Sequence, residues 1–244
     1  MYLHLLCLAF VALALAETSL DNVILVTRHG DRSPLRTYPN QYASWNCSLN
    51  LFSSLHLQHN TVRYPYFRKN YIDGKQSLQG SCFMGQLTSK GALQHFELGK
   101  RVREDYHHLL PRIPDHTTYF RSTDLLRTQE SLISNLLATF PALASSDIIP
   151  DIHLLERTEE TMLANSPACP RLSYMLNELH ETQEWKARVD KLETLRKKLE
   201  AVFGVSVTSI DDWNKGFDYL YALVENNLSL PPTITYRDYE ALLT

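Results

Sequence analysis

A continuous run of apolar and β-branched residues at 23–27 (VILVT) is the feature that most constrains this chain. A run of this length without alternation is typical of a strand buried on both faces of a parallel sheet. In open α/β sheets, ligands bind just beyond the carboxyl ends of such strands. We therefore expect the residues that follow the run, Arg28, His29 and Gly30, to lie at a binding site.

A second strand-and-helix unit is predicted further along the chain. Residues 117–120 are a short strand candidate that ends at Arg121, and the helical spacing after it stops at Pro141. Two strand ends that each present an arginine would aim both side chains at one anion. An earlier helix begins with Thr88 as its N-cap. Its inner side is predicted to carry the apolar residues Leu93, Phe96, Val102 and Tyr106.

The later part of the chain is predicted to be mostly helical, because apolar residues recur there at helical spacing with charges between them. By contrast, the region after the first motif has no sustained period and indicates a long insert. A length of 244 residues suits one core with a small appended subdomain. The sequence therefore predicts an α/β protein in three parts: a signal peptide at 1–16, an α/β core at 17–148 with a long insert at 38–82, and a mostly helical cap at 149–244.

The amino terminus indicates secretion. An apolar stretch at 5–16 ends with Ala14 and Ala16, which are spaced as in a signal-peptidase site. The stretch is shorter than the ~20 apolar residues of a membrane span, and no later segment qualifies. We therefore expect a cleaved signal and no membrane span after cleavage; the alternative is a buried N-terminal helix.

Three cysteines remain once the signal is removed. Cys47 and Cys82 bracket the insert, so a bridge between them is the preferred pairing, while the partner of Cys169 stays open. No two cysteines lie at CxxC spacing, which argues against a metal site. Asn46 and Asn227 begin sequons and are candidate glycosylation sites.

The cluster after the first predicted strand suits a phosphate monoester. The net charge of −3 gives no electrostatic footprint for nucleic acid, so an anion would have to be bound by local positive charge. Arg28 and Arg32 supply planar forks that match phosphate oxygens. A neutral His29 is nucleophilic and forms covalent phospho-intermediates, and Gly30 permits close approach of the backbone. This chemistry needs no cofactor.

Four stretches of the chain resemble the histidine acid phosphatases, the RHGxRxP branch of the histidine phosphatase superfamily. They are RHGDRSP at 28–34, QLTSKGALQHFELGKRVREDY at 86–106, RSTDLLRTQES at 121–131 and CPRLSYMLNEL at 169–179. Together they are similar to lysosomal and prostatic-type acid phosphatases over most of the chain. The resemblance implies a phosphoglycerate-mutase-like α/β sheet domain with a helical cap, and hydrolysis of phosphate monoesters at acid pH.

The resemblance also implies the role of each site residue. His29 would be the nucleophile that becomes phosphohistidine, while Arg28, Arg32 and Arg121 would hold the phosphate oxygens. His95 would be structural, and Asp31, at the variable position of the motif, receives no chemistry. A homodimer in the lysosomal lumen or outside the cell is implied, with the Golgi lumen as another possible compartment.

One departure from the family pattern is large. Family members carry a late His-Asp pair whose aspartate protonates the leaving alcohol, and no such dipeptide occurs in this sequence. The nearest imitation, at 180–181, lies inside a predicted amphipathic helix, so no general acid is identified. The partner expected for Cys169 is a late cysteine that would be missing too. We therefore expect a chain truncated at its carboxyl end, with its last strand and helices missing and with weak turnover.

Two alternatives stay open. The insert and the run at 82–88 resemble the 2-phosphoxylose phosphatases of glycosaminoglycan linkage synthesis, although the stretches at 121–124 and 169–171 look closer to the general acid phosphatases. From another class, a non-catalytic pseudophosphatase would bind a phosphorylated partner; the lack of a His-Asp pair favours it and the intact RHGDRSP disfavours it.

Overall fold

A computed structural model describes residues 19–40, 43–47 and 78–243. The predicted signal peptide and most of the predicted insert lie outside the described residues. Within them the regular elements are helices: α1 Ser89–Tyr106, α2 Leu126–Thr139, a 3₁₀ helix Pro141–Ser145, α3 Pro170–Glu181, α4 Gln183–Lys191, α5 Glu193–Phe203, α6 Ile210–Glu225 and α7 Tyr236–Leu243. None of these helices is long and apolar enough to cross a membrane.

Helix α1 begins where the sequence predicts, but it packs through a different face. The Thr88 hydroxyl caps it by accepting a hydrogen bond from the backbone N–H of Gly91. The predicted inner side is wrong at Leu93, which is 46% exposed. The buried face instead carries small residues, and a Cβ added at Gly99 would lie 2.3 Å from the carbonyl oxygen of Asn135 on α2. The two helices approach closely through this face, so larger apolar residues are displaced from the contact.

The predicted cap region forms several separate short helices, which the irregular spacing of its apolar residues allows. Helix α5 ends at Gly204, whose φ of 69° is the left-handed conformation that glycine adopts without penalty. Helix α6 begins with a capping box in which Ser209 and Asp212 satisfy each other's backbone N–H. These caps fix the start of α6, which carries residues that reach the site.

The main core of the described residues joins α5, α6 and α7 to Tyr38, to residues 43–47 and to residues 78–82. The predicted bridge between Cys47 and Cys82 is confirmed and lies inside this core. Tyr38 stacks on Phe203 with ring centroids 3.8 Å apart, and Tyr219 meets both rings edge-on. The chain that leaves the RHGDRSP motif is thereby anchored to the cap helices.

The predicted sheet is not found within the described residues. Residues 23–27 form no strand there, and Ile24 and Val26 are 87% and 84% exposed, so the expectation of a strand buried on both faces is not met. The second strand candidate also forms none, and Tyr119 within it is 68% exposed. A parallel strand is buried only between neighbouring strands and covering helices, and the described part of the chain contains no neighbouring strand for these segments. Extended pairing is limited there to isolated bridges, such as Arg32 with Leu87.

Candidate active site

Backbone hydrogen bonds hold the motif loop against the segment that leads into α1. The Ser33 N–H donates to the Gln86 carbonyl at 2.9 Å, and the Gly85 N–H donates to the Pro34 carbonyl at 2.9 Å. The Thr88 N–H donates to the Asp31 carbonyl at 3.0 Å. The loop position is therefore set by pairing with a distant segment, since these partners lie more than fifty residues away along the chain.

Gly30 sits where no side chain fits. A Cβ at this position would lie 2.2 Å from the Gly91 carbonyl oxygen, which is backbone of α1 and has no room to move aside. The Gly30 N–H donates to the Ser131 hydroxyl of α2 at 3.1 Å. The glycine of the motif is therefore needed for close packing of the loop on both helices.

The loop and α6 together enclose a cavity of about 110 Å³. Three of the predicted site residues, Arg28, His29 and Arg32, line it side by side. The remaining lining comes from the loop, α1 and α6: Gly30, Asp31, Gln94, Asp218, Tyr221, Ala222 and Glu225. The described residues thus bring the motif cations and the histidine together against the cap.

His29 is kept neutral, with one ring nitrogen committed to the backbone. Burial lowers the pKa of His29 to about 4, against a partial opposing effect of its hydrogen bond to the Gly30 carbonyl, and the charges of Arg127, Arg32 and Arg28 lower it further. Nδ1 lies 2.8 Å from that carbonyl, an acceptor only, so Nδ1 carries the proton. Nε2 is then left with its lone pair, which is the form that a nucleophile needs.

Arg28 is positioned through its backbone. Nε2 of His95 on α1 lies 2.9 Å from the Arg28 carbonyl, and because a carbonyl only accepts, the imidazole donates. Burial lowers the pKa of His95, against a smaller opposing effect of this hydrogen bond. His95 thus fastens the loop immediately before His29, in keeping with the structural role expected for it.

Arg32 makes an ion pair that sequence reasoning missed. Its Nη2 lies 2.5 Å from Oδ1 of Asp218 and its Nη1 lies 3.1 Å from Oδ2, with both side chains largely buried. The same carboxylate accepts the Leu35 N–H at 2.9 Å. Asp218 belongs to α6, far from the motif in sequence, and only its place within an amphipathic helix could have drawn notice.

Arg121 is placed apart from the cavity lining. Its Nη2 donates to Oε1 of Glu160 at 2.9 Å, and the Glu160 side chain is only 1% exposed. Arg127, the second residue of α2, instead contributes to the positive field on His29. It is buried enough for its own pKa to be lowered, and its Nε has no hydrogen-bond partner among the described residues. The second arginine of the RSTDLLRTQES stretch is therefore the one that acts electrostatically on His29.

Each carboxylate that lines the cavity already has a partner. Asp31 accepts from the Thr88 hydroxyl at 2.5 Å, and Glu225 pairs with Lys90 at 2.9 Å. Asp218 is held by Arg32. A general acid must deliver its proton to the leaving oxygen, whereas these three carboxyl groups are engaged by their partners, so none of them is suited to protonate a leaving group.

The other candidates from the sequence lie away from the cavity lining. Asn46 accepts a hydrogen bond from Ser81 at 3.2 Å, whereas Asn227 is exposed just beyond the end of α6 with a φ of 55°. Cys169 is a free, exposed cysteine. Among the residues that the structure describes, no group of histidine, cysteine or acidic side chains is arranged to hold a metal ion.

Comparison with known proteins places these features in a family. Residues 19–243 match the model of the histidine phosphatase superfamily (branch 2). The chain is 30% identical to counting factor 60 of Dictyostelium discoideum, with 89% of this chain and 56% of the relative aligned. It is also 30% identical to human lysosomal acid phosphatase (88% and 45% aligned) and to human prostatic acid phosphatase (87% and 50%). The chain thus spans about half the length of these curated relatives.

Proposed function

Because the chain belongs to the histidine phosphatase superfamily (branch 2), we propose that it hydrolyses phosphate monoesters through a phosphohistidine at His29. The observation that carries this proposal is the neutral His29, whose Nε2 lone pair is free beside Arg28 and Arg32 at one cavity. The names of the lysosomal and prostatic acid phosphatases support the same reaction class.

The first step is attack of Nε2 on phosphorus. A nitrogen–phosphorus bond forms as the bond from phosphorus to the ester oxygen breaks, and the alkoxide leaves with the bonding electron pair. Arg28 and Arg32 bind the non-bridging oxygens and stabilise the charge that spreads over them. Arg121 would join them only after leaving Glu160, with which it is paired in the structure.

The second step is attack of water on the phosphohistidine. The oxygen–phosphorus bond forms, the nitrogen–phosphorus bond breaks and its electron pair returns to Nε2, while the protons of the water leave on the inorganic phosphate that is released. Throughout, the proton stays on Nδ1, which donates it to the Gly30 carbonyl in a hydrogen bond, so the imidazole regains its starting tautomer. A depressed pKa suits this cycle to acid conditions, because His29 stays neutral down to pH of about 4.

The leaving group decides how fast the first step can be. A general acid contributes about 10²- to 10⁴-fold, and the described cavity carboxylates are engaged with Arg32, Lys90 and Thr88. We therefore propose that alkyl phosphates, which need a proton on the leaving oxygen, react much more slowly than aryl phosphates. A chain that binds phosphate without turning it over would be the pseudophosphatase of the alternative reading.

We also propose that the protein passes through the secretory pathway. The bridge between Cys47 and Cys82 supports this, because disulfides form and persist in oxidising compartments. One of its relatives is named for the lysosome.

Release of p-nitrophenol from its phosphate at pH 5 tests the catalytic proposal. We expect measurable turnover that falls by about 10³-fold or more in His29→Ala, since the nucleophile is lost. Arg36→Gln is the matched control, because Arg36 pairs with Asp212 of α6 and does not line the cavity. Turnover that survives in His29→Ala would contradict the proposal.

A further inference from the structure

The guanidinium of Arg32 is only partly engaged by the protein. Both N–H donors of Nη1 are used, one by Asp218 and one by the Ser33 carbonyl at 3.1 Å, and one donor of Nη2 is used by Asp218. The Nε atom is buried and has no hydrogen-bond partner among the described residues, although Arg32 as a whole is only 8% exposed. A buried N–H without an acceptor is costly, so this atom points to a ligand that supplies one.

The N–H donors of Arg32 that no described residue accepts lie on one edge of the planar guanidinium. The two Nη atoms meet the Asp218 carboxylate end-on, which leaves Nε–H and the second N–H of Nη2 side by side on the adjacent edge. This edge has the spacing that matches two oxygens of a phosphate or carboxylate. Because Arg32 lines the cavity, an anion bound beside His29 is within the same enclosure.

We propose that Asp218 is a positioning residue, which turns Arg32 so that its Nε and Nη2 edge receives two oxygens of the substrate phosphate. The proposal rests on the proposed function, since it names how the same site holds its phosphate. Asp218 acts through Arg32 and needs no contact with the substrate.

Asp218 is itself firmly placed. It accepts the Leu35 N–H as well as the Arg32 fork, so the carboxylate is held from two directions. Its neighbours on α6, Tyr219 and Leu220, are buried in the main core, which fixes the helix. The negative charge of Asp218 also offsets the positive charge of Arg32, which lies beside the further positive charges of Arg28 and Arg127.

Nitrogen-15 NMR of the full chain, titrated with inorganic phosphate, tests the proposal at the atom concerned. Arg32→Lys assigns the Nε–H resonance of Arg32 by its disappearance. In the wild-type protein we expect that resonance to move downfield as phosphate binds, because Nε–H gains a charged acceptor. If other resonances of the protein shift as phosphate binds but the Arg32 Nε–H resonance does not, the proposal is overturned and the proposed function still stands.

Three variants give the affinity arm of the test. Asp218→Asn removes the charge but keeps the side-chain shape and an oxygen that accepts the Leu35 N–H. We expect the dissociation constant for phosphate to rise by about tenfold or more in this variant. Asp218→Glu should recover part of that loss, which a merely structural role would not predict. Arg36→Gln, which cuts another tie between the loop and α6, should bind phosphate as the wild-type protein does.

If phosphate bound more tightly to Asp218→Asn than to wild type, Asp218 would be a competitor for Arg32, and the positioning role would be overturned. If the wild-type chain bound no phosphate at all, the proposed function would fail together with this inference. The backbone amide spectrum of each variant shows whether it is folded.

Discussion

The two segments that flank His29 differ sharply in how the rest of the chain holds them. Downstream, Ser33 and Pro34 are fully buried, and Tyr38 is packed in the main core. Upstream, residues 20–26 include large apolar side chains that are exposed, and Ile24 is the extreme at 87%. His29 lies at the junction between the two segments.

The difference shows what holds the site in the described part of the molecule. The loop is fixed from its downstream side by backbone hydrogen bonds to residues 85–88 and by the pairing of Arg32 with Asp218. From its upstream side, one contact among the described residues fixes the loop, the hydrogen bond that His95 donates to the Arg28 carbonyl. The nucleophile therefore depends on the cap helices and α1 more than on the strand that the sequence predicts.

Phe203→Ala should have the largest effect on stability, because it removes the ring on which Tyr38, in the segment downstream of His29, is packed. Phe203 is fully buried and stacks on Tyr38, so we expect a loss of about 3–5 kcal/mol in the free energy of unfolding. Urea denaturation followed by tryptophan fluorescence measures it. A loss below about 1 kcal/mol would break the comparison, since the downstream segment would then be no better held than the upstream one.

Loss of the Cys47–Cys82 bridge should come next. Cys82→Ser opens a loop of sequence separation 35 within the same core, and we expect a cost of about 2–4 kcal/mol. The denaturation midpoint of the variant, compared with wild type with and without reductant, measures it. Equal midpoints for oxidised and reduced wild type would contradict the anchoring role.

Much of the structure that holds the segment downstream of His29 could be predicted from the sequence. The contacts that could not be predicted join residues far apart along the chain. The N-cap at Thr88, the end of α2 and the Cys47–Cys82 bridge follow from local chemistry or from bracketing of a loop. Asp218 meets Arg32 across a separation of 186 residues, and no local pattern marks it. The pairing of Arg121 with Glu160 is likewise decided by tertiary packing.

The exposed upstream segment shows the limit of a different rule. An unbroken apolar run predicts a buried strand only if other strands and helices cover it, and a single segment cannot supply its own cover. The same limit applies to helix α1. Its apolar spacing predicts that Leu93 lies on the buried face, but the close approach of α1 to α2 at Gly99 buries a different face.

The pH dependence of turnover sharpens the comparison at the junction itself. Below a pKa of about 4 the imidazole of His29 is protonated and loses its nucleophilic lone pair, so kcat/KM should fall about tenfold per pH unit only below that value. Arg127→Gln removes one of the charges that depress this pKa and should move the fall to higher pH. An unchanged profile would show that Arg127 exerts no field on His29.

Ile24→Ser should have the smallest effect. The side chain is almost fully exposed and contacts no described core, so we expect a change within about 0.5 kcal/mol in unfolding free energy. The same urea denaturation measures it beside Phe203→Ala. A loss comparable to that of Phe203→Ala would mean that the upstream segment is buried in solution, and the contrast would fail.

Direct detection of the covalent intermediate tests the central claim, that His29 is the nucleophile at this junction. The full chain is mixed with ³²P-labelled p-nitrophenyl phosphate, quenched in alkali, which preserves phosphohistidine, and digested for peptide mapping. We predict label on the peptide that contains His29, label of similar amount in Ile24→Ser, and none in His29→Ala. Label on another residue, or label that persists in His29→Ala, would contradict the account.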